Sequence, residues 1–548
     1  MSLGATAARA PPSLARVSRD DVFRFYRLRQ AGARGTRGTM LARVRSGALR
    51  GIEAIVVDVE VDVASGLPHT TTVGLPDGAV REATDRIRAA LRNAGFEYPQ
   101  RRVTVNLAPA GVRKEGPHYD LPIALAILAA EAKPPLPDLS PWCVIGELGL
   151  DGRVHGVRGA LPIAAAAGHA GVTGLLVPSV NAAEAALAGG PPVFGVETLA
   201  EAVSHLRAET LMEPTTVDAA ALLASTPLAA GDLADVRGQR HAKRALEVAA
   251  AGAHNLLLIG PPGSGKTMLA RRLPSILPPL GLEEAIEVTA IHSVAGLLDG
   301  RPLVSVRPVR APHCSISDAA LLGGGSPIRP GEVTLAHRGV LFLDELPEFR
   351  RNVLEPLRQP LEERRISVAR GTGALVFPAA FQLVAAMNPC PCGYLGDPAD
   401  TCRCTPPILD RYRARVSGPL LDRIDLHVEV PRVPVAALAE EAPAEEPSTA
   451  VRARVEAART SQRQRLGPRP IPVNAHIPGR EVRRLCRIGA TGRRLLEVAS
   501  ERLGLSARAY TRILRVARTI ADLAGEEEIT TSHLAEAIQY RSLDRTAR

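Results

Sequence analysis

The sequence Gly260-Pro261-Pro262-Gly263-Ser264-Gly265-Lys266-Thr267 decides the fold of the central part of this chain. It matches the pattern G-x-x-x-x-G-K-T, follows the apolar run Asn255 to Ile259, and precedes a helix predicted from Met268. In this context the glycines let backbone N–H groups surround a phosphate, and the helix N-terminus adds positive potential. Lys266 would reach the β- and γ-phosphate oxygens, and Thr267 would bind Mg²⁺. The stretch therefore predicts a P-loop for a nucleoside triphosphate, with an ordinary Gly-rich turn as the alternative.

Two further apolar runs end in polar residues that suit such a site. The run Gly339 to Leu343 is followed by Asp344 and Glu345, and a run from Phe381 ends at Asn388. Asp344 is predicted to hold the Mg²⁺ shell and Glu345 to activate the attacking water. Asn388 is predicted to hydrogen-bond the γ-phosphate or that water. The alternative for the two acids is helix capping, because carboxylates are favourable near helix N-termini.

These runs also predict the fold class, which is α/β. Short apolar runs bounded by Gly or Pro and separated by helical stretches are typical of parallel strands buried on both faces. The length of 548 residues predicts three or four domains. Along the chain we predict a disordered extension over 1–39, an α/β domain over 40–210, a linker over 211–234, a P-loop core with a parallel sheet over 235–430, a linker and the start of the helical region over 431–478, and a small helical domain over 479–548.

The overall charge is strongly positive, at +10 with a pI of 9.6. A basic excess favours a polyanionic partner such as DNA, because clustered Arg releases counterions from nucleic acid. The excess of Arg over Lys is more easily explained by a GC-rich genome than by selection for bidentate phosphate contacts. The longest apolar run, Leu121 to Ala130, is about half of the ~18 residues that cross a bilayer. We therefore expect a cytoplasmic protein with no membrane partner.

Four of the seven cysteines form two C-x-C pairs, Cys390 with Cys392 and Cys402 with Cys404. A long chain without an export signal does not normally build a disulfide framework. Four thiolates can instead close a tetrahedral Zn²⁺ site that holds a short loop together. The spacing is tighter than the usual C-x₂₋₄-C, so reduced thiols packed as small hydrophobic groups are the alternative.

In this order, the motifs resemble the YifB/ComM family of AAA+ ATPases in the magnesium-chelatase-like branch. The resemblance covers the chain from Met40 onward, and it also rests on Asp235-Val-Arg-Gly-Gln239, Ala386-Met-Asn388-Pro-Cys390-Pro-Cys392-Gly393 and Ser417-Gly-Pro-Leu-Leu-Asp-Arg423-Ile-Asp425. It implies ATP and Mg²⁺ as cofactors and a ring of identical subunits, with a hexamer as the expected form. Asn388 then matches sensor 1.

The resemblance also implies roles for two arginines. Arg423 matches the arginine finger that a neighbouring subunit inserts, and Arg508 matches sensor 2 on a C-terminal helical lid. A second cation on the γ-phosphate can be worth roughly 10³ to 10⁵ in rate. The alternative for Arg423 is a surface ion pair with Asp422 or Asp425.

Arg508 has a simpler alternative too, which is a solvated polar stripe with Arg512 and Arg515 on an amphipathic helix.

A separate segment, Arg364 to Phe377, predicts a hairpin with glycines at its tip. It resembles the pre-sensor hairpin that points into the ring's pore in this branch. Arg370 at its turn would contact a phosphate backbone, or the hairpin is structural and binds no ligand.

The N-terminal α/β domain resembles the Lon-protease-type fold but lacks its Ser-Lys dyad. Lys114-Glu-Gly-Pro-His118-Tyr119-Asp120 stands where Lon-like enzymes carry the nucleophilic serine, and Leu161 stands at the position of the catalytic lysine. Without nucleophile and base, proteolysis is disfavoured despite the fold. An isolated His118 is interpreted as structural.

Three functions remain open on this basis. The leading interpretation is a ring-forming ATP-dependent motor on single-stranded or branched DNA, similar to a branch-migration helicase of recombination or natural transformation. The second is a chelatase-type remodelling ATPase that acts on protein partners without DNA. An ATP-dependent protease is the least favoured. DNA stimulation of ATPase activity distinguishes the first from the second.

Overall fold

The computed structural model describes residues 41–131, 134–224, 231–326, 328–370, 373–396, 402–433 and 445–541. The chain forms two compact units. The first contains the residues up to Ala224 together with Ala285–Val304, and the second contains Ser225–Glu284 and Ser305–Arg548. The predicted extension over 1–39 lies outside the described residues. Within the described ranges, no helix combines the length and apolarity needed to cross a membrane.

The first unit is built on a seven-stranded mixed sheet with the order β3-β4-β2-β1-β5-β8-β9. Its strands, with the small hairpin β6–β7, are β1 (Leu41–Arg50), β2 (Glu53–Ala64), β3 (His69–Val73), β4 (Arg102–Ala108), β5 (Trp142–Val144), β6 (Glu147–Leu148), β7 (Val154–His155), β8 (Gly174–Pro178) and β9 (Val193–Val196). Strand β2 pairs antiparallel with β1 and β4. Its alternate residues Val57, Val59, Val61 and Val63 are fully buried, which confirms the strand predicted from alternating apolar and acidic residues.

Helices cover this sheet, and their caps follow from the sequence. Asp77 accepts a hydrogen bond from the backbone N–H of Val80 and so begins the first helix. The predicted helices after Asp77 and from Asp120 are both present. The helices of the first unit are Gly78–Asn93, Asp120–Glu131, Ala160–His169, Ser179–Ala186, Leu199–Leu206 and Ala219–Ala224. The last of these lies in the stretch predicted as a linker.

The second unit contains a five-stranded sheet with the order β11-β14-β17-β10-β18, in which all neighbours are parallel. Its strands are β10 (Leu256–Ile259), β11 (Val309–Arg310), β14 (Val340–Leu343), β17 (Gln382–Met387) and β18 (Leu426–Glu429). Two separate strand pairs are β12 (Gly323–Gly324) with β13 (Arg329–Pro330), and β15 (Arg365–Arg370) with β16 (Gly373–Pro378). Every residue of β10, β14 and β17 is buried, which confirms the three predicted parallel strands. Ligands of such sheets bind at the carboxyl ends of the strands, where the strand order reverses.

Helices Arg240–Gly252 and Lys266–Ile276 pack on this sheet, and later helices form the C-terminal region. The helices from Arg240 onward are Arg240–Gly252, Lys266–Ile276, Leu282–Ala295, Asp318–Leu322, Glu332–Leu335, Arg351–Leu354, Arg358–Glu363, Pro406–Arg413, Gly418–Leu421, Ser448–Leu466, Gly479–Leu485, Ala490–Leu503, Ala507–Ala524 and Thr531–Gln539. Leu282–Ala295 crosses the boundary between the units. Ser448–Leu466 begins inside the segment predicted as linker and start of the helical region. The helical C-terminal region is confirmed.

The helix Ala507–Ala524, the longer of the last two helices, contacts the amino edge of the five-stranded sheet. Ser506 caps its first turn and Gly525, at φ 73°, ends it. Asp425, just before β18, accepts a hydrogen bond from His254 at 3.3 Å and forms an ion pair with Arg512 at 3.3 Å. Burial alone would raise the pKa of Asp425, but His254 and the nearby arginines hold it well below its usual range. This cluster joins the helical region to the sheet.

The cluster also corrects one alternative from the sequence. Arg512 and Arg515 do not form a solvated stripe, because burial desolvates both guanidinium groups and lowers their pKa. Of Arg508, Arg512 and Arg515, only Arg508, in the first turn of the helix Ala507–Ala524, is exposed. The apolar and polar faces predicted for this helix therefore both pack against protein over its later turns.

Replacing Asp425 by alanine is expected to destabilise the second unit. The change leaves His254 and the buried Arg512 without their carboxylate, and breaking a buried pair costs about 3–5 kcal/mol. Thermal unfolding of Asp425→Ala beside the exposed Asp410→Ala measures the effect. A melting midpoint of Asp425→Ala equal to that of Asp410→Ala would contradict the importance of the cluster.

Candidate nucleotide site

The P-loop connects β10 to the helix Lys266–Ile276 at the carboxyl edge of the sheet. Gly263 and Gly265 adopt φ values of +75° and +91°, which glycine tolerates best. A Cβ added to Gly260 would lie 2.1 Å from the carbonyl oxygen of Val430. The loop backbone therefore requires glycine at positions 260, 263 and 265.

Lys266 lies inside this loop. Its ammonium donates to the carbonyl oxygens of Gly260 at 2.8 Å and Pro261 at 2.9 Å, and to Oδ1 of Asn388 at 3.2 Å. Burial lowers the pKa of Lys266, an effect that the charges of Asp344 and Glu345 oppose. The structure thus brings the lysine of the P-loop and the asparagine at the end of β17 to one point.

The two predicted Mg²⁺ residues also meet. Thr267 Oγ1 donates to Asp344 Oδ2 at 2.7 Å, so a hydroxyl and a carboxylate lie side by side beside the P-loop. Oxygen ligands of this kind suit Mg²⁺, which is usually held by few protein groups and by substrate phosphates. The Ser264 hydroxyl is buried and has no hydrogen-bond partner among the described residues. Triphosphate and Mg²⁺ therefore fit the donor set that is present.

Glu345 follows Asp344 in a left-handed conformation, with φ 52°. Its backbone N–H donates to Asp344 Oδ1 at 2.9 Å, and its side chain is exposed. Non-glycine residues in this region cost of order 1–3 kcal/mol and occur preferentially at functional sites. The turn directs the chain away after the acidic pair and leaves the Glu345 carboxylate accessible to water.

Arg423 lies away from these residues, just before β18 at the amino edge of the sheet. Its guanidinium pairs with Glu362 at 2.6 Å and donates to the carbonyl oxygen of Pro419 at 2.6 Å. The described residues therefore give Arg423 an ion pair, as the alternative expected, but with Glu362; Asp425 instead binds His254 and Arg512.

Arg508 is not brought to the P-loop of its own chain either. Arg512, one turn further along the same helix, binds Asp425 at the amino edge. A four-residue strand such as β18 separates the two edges by about 13 Å, at roughly 3.3 Å per residue. The described residues show no side-chain contact between Arg508 and the loop.

Two contacts around the site were not predicted. Gln239 donates from Nε2 to the carbonyl oxygens of Ser264 at 3.2 Å and Pro431 at 2.6 Å. The Tyr412 hydroxyl donates to the carbonyl oxygen of Asn388 at 3.3 Å. Gln239 belongs to a motif recognised in the sequence, but the residues around it do not predict its contact with the P-loop. Both residues hold backbone that carries the site.

The remaining sequence predictions have clear positions. The hairpin is present as β15 and β16, paired from Arg365 opposite Pro378 to Arg370 opposite Gly373; its tip, 371–372, lies outside the described residues. The four cysteines predicted as a metal site come together, with ligand atoms all within 4.8 Å of one another.

In the first unit, the residues of the protease-like segment are internal. His118 Nε2 lies 2.8 Å from the carbonyl oxygen of Gly47, and burial lowers the pKa of His118 to about 4. The buried Lys114 ammonium donates to the carbonyl oxygen of Pro109. Leu161 is buried, and its backbone N–H donates to Glu184. These positions agree with a structural role for His118.

Three regions of the chain match models of known protein families. Residues 232–438 match the model described as magnesium chelatase, subunit ChlI. Residues 59–181 match the model for subunit ChlI of Mg-chelatase, and residues 445–541 match its C-terminal model. Fold and site together define a magnesium-chelatase-like P-loop protein of the AAA+ class.

Relatives over nearly the full length narrow this class. The chain is 45% identical over 506 residues to the uncharacterized protein YifB of Salmonella typhimurium, covering 92% of this chain and 98% of that protein. It is 45% identical over 506 residues, with the same coverage, to the competence protein ComM of Haemophilus influenzae. The chain belongs to the YifB/ComM family.

Proposed function

We propose that this protein is an ATP hydrolase that works as a ring on DNA, as a branch-migration helicase in recombination or natural transformation. The observation that carries the ATPase part is the convergence of Lys266, Thr267, Asp344 and Asn388 at one sheet edge. The name of the competence protein ComM supports the DNA part. We expect the protein to work in the cytoplasm.

The site residues divide the work of hydrolysis between them. Thr267 and Asp344 would hold Mg²⁺, which would supply positive charge against the phosphates. Lys266 orients the β- and γ-phosphates, and Asn388 positions the γ-phosphate or the attacking water. The Glu345 carboxylate accepts the proton of that water as a general base. The P-loop amides fix the phosphate chain so that its terminal group faces the carboxylates.

The positions of the arginines support a ring. The P-loop occupies the carboxyl edge of the sheet, whereas Arg423 precedes β18 at the amino edge. Neither Arg423 nor Arg508 completes the site of its own chain, so each would complete the site of another chain. A closed ring gives every subunit one such neighbour, and we expect six subunits. Glu362, exposed in the single chain, would release Arg423 when the neighbour's nucleotide takes its place.

The DNA-binding surface would include the hairpin β15–β16. Its inner residues Ile366, Val368 and Phe377 are buried, so the hairpin is held in place by packing against its neighbours. Arg365 at its base is exposed and, within the described part of the chain, pairs with the exposed Glu363 at 3.4 Å. The chain's charge of +10 favours a polyanion in general.

The alternative is a chelatase-type remodelling ATPase that acts on protein partners without DNA; the matches to the magnesium chelatase models favour it. A branch-migration assay separates the two. With a labelled three-strand junction, the protein and ATP should release the displaced strand, and Glu345→Gln should not. Hydrolysis of ATP with no strand release from any junction, and no DNA binding at low salt, would favour the remodelling ATPase.

A further inference from the structure

The loop that carries the four cysteines is part of the nucleotide site's surroundings. It begins two residues after Asn388, at the end of β17, and its first cysteine is fully buried. The Gly393 N–H donates to the Cys390 carbonyl oxygen at 3.0 Å and closes a tight turn that contains the first cysteine pair. The second pair returns directly before the helix Pro406–Arg413.

The sulfur positions match a metal site closely. The Sγ atoms of Cys390 and Cys392 are 3.2 Å apart, those of Cys390 and Cys402 are 3.8 Å apart, and those of Cys392 and Cys402 are 3.6 Å apart. Sulfur atoms around tetrahedral Zn²⁺ lie about 3.8 Å from each other, given a Zn–S distance of about 2.3 Å. Cys404 completes the set within the same 4.8 Å limit.

The same loop lies against the P-loop. A Cβ added to Gly393 would lie 2.5 Å from Cδ of Pro262, so the glycine backbone and the P-loop tip are in direct contact. Tyr394, the next residue, lies under the Arg432 guanidinium at 5.3 Å from the ring centre. The loop therefore touches the P-loop and the segment that follows β18, and it starts next to Asn388.

We propose that Cys390, Cys392, Cys402 and Cys404 bind one Zn²⁺ as thiolates, and that this metal-held loop positions the P-loop tip for nucleotide binding. The sequence from Cys390 to Cys404 offers few apolar residues for a core, and a metal with four protein ligands can supply folding energy. Zn²⁺ takes no part in hydrolysis here, because four cysteines leave it no open coordination position. Gly393 is a positioning residue that acts through Pro262.

The metal part is tested on the full chain purified without chelators. Elemental analysis should find about one Zn²⁺ per chain, and a mercurial thiol reagent should release it. The double variant Cys402→Ser/Cys404→Ser should lose the metal, whereas Cys314→Ser, a half-buried thiol outside the cluster, should keep it. Protein without metal, or with iron instead, would overturn the zinc assignment even if the double variant fails to fold.

The positioning part is tested with two glycines of the same loop. Gly393 and Gly396 both have positive φ, at +85° and +81°, but a Cβ on Gly396 would meet nothing within 4 Å. Gly393→Ala should keep its zinc and raise the Kd for a fluorescent ATP analogue roughly tenfold, because overpacking displaces the P-loop. Gly396→Ala carries the same backbone strain and should change that Kd much less. Equal Kd values for the two variants would overturn the positioning role while leaving the zinc result standing.

Discussion

Replacing Glu345 by glutamine is expected to lower ATP turnover by roughly 10² to 10⁴-fold, the usual contribution of a general base, while nucleotide affinity stays close to that of the parent. Glutamine keeps the size of the side chain but cannot accept the proton of the attacking water. The Glu345 side chain is exposed, and Lys266 is held by Gly260, Pro261 and Asn388, so phosphate binding through Lys266 should be largely retained. Steady-state phosphate release and equilibrium binding of a fluorescent ATP analogue measure the two effects separately.

Two comparisons make this result specific. Lys266→Ala should lose binding itself, because it removes the cation that joins the P-loop carbonyls to Asn388. Glu348→Gln removes a nearby exposed carboxylate, paired with Arg415 at 2.7 Å, and should hydrolyse ATP normally. Glu345→Gln with the parent's turnover number would remove Glu345 from the mechanism.

Replacing Arg423 by alanine is expected to reduce turnover by roughly 10³ to 10⁵-fold, the range found for arginine fingers. Its charge would stabilise the transition state in a neighbouring subunit, because its own chain holds it at the opposite edge of the sheet from the P-loop. Arg415→Ala removes an exposed arginine eight residues earlier in the chain and serves as the matched control.

Mixing subunits tests whether Arg423 acts between chains. Arg423→Ala and Lys266→Ala subunits should each be inactive alone, yet a mixed ring would contain interfaces with an intact P-loop on one side and an intact Arg423 on the other. ATPase activity should therefore reappear on mixing, with a maximum at an intermediate ratio. If mixed rings form, as shown by co-purification of two tags, and stay inactive at every ratio, Arg423 does not complete a neighbour's site.

The parts of the site that depend on local sequence could be predicted. The P-loop, the strand ends at Asp344 and Asn388 and the two C-x-C pairs are short patterns whose geometry follows from the strand or turn that carries them. Parallel strands bring their carboxyl ends to one edge. The contacts of Lys266 with Asn388 and of Thr267 with Asp344 follow from that rule.

Contacts between distant segments could not be predicted, since no local pattern encodes them. A solvated face was the alternative for Arg512, but this residue pairs with Asp425, which lies 87 residues earlier in the chain. Arg423 pairs with Glu362 and not with its sequence neighbours. Residues 285–304 belong to the first unit although they lie between the P-loop and the acidic pair. In each case tertiary packing outweighs the local pattern.

The most direct test of the proposed function is the ATPase rate measured against increasing concentrations of DNA. Single-stranded, duplex and branched DNA are titrated at fixed low salt, and the parent protein is compared with Glu345→Gln to exclude a contaminating ATPase. A motor on DNA predicts a rate that rises and saturates with single-stranded or branched DNA, and an effect that weakens as salt is added. A rate that stays flat for all three DNA forms, in protein that hydrolyses ATP and assembles into rings, would contradict action on DNA.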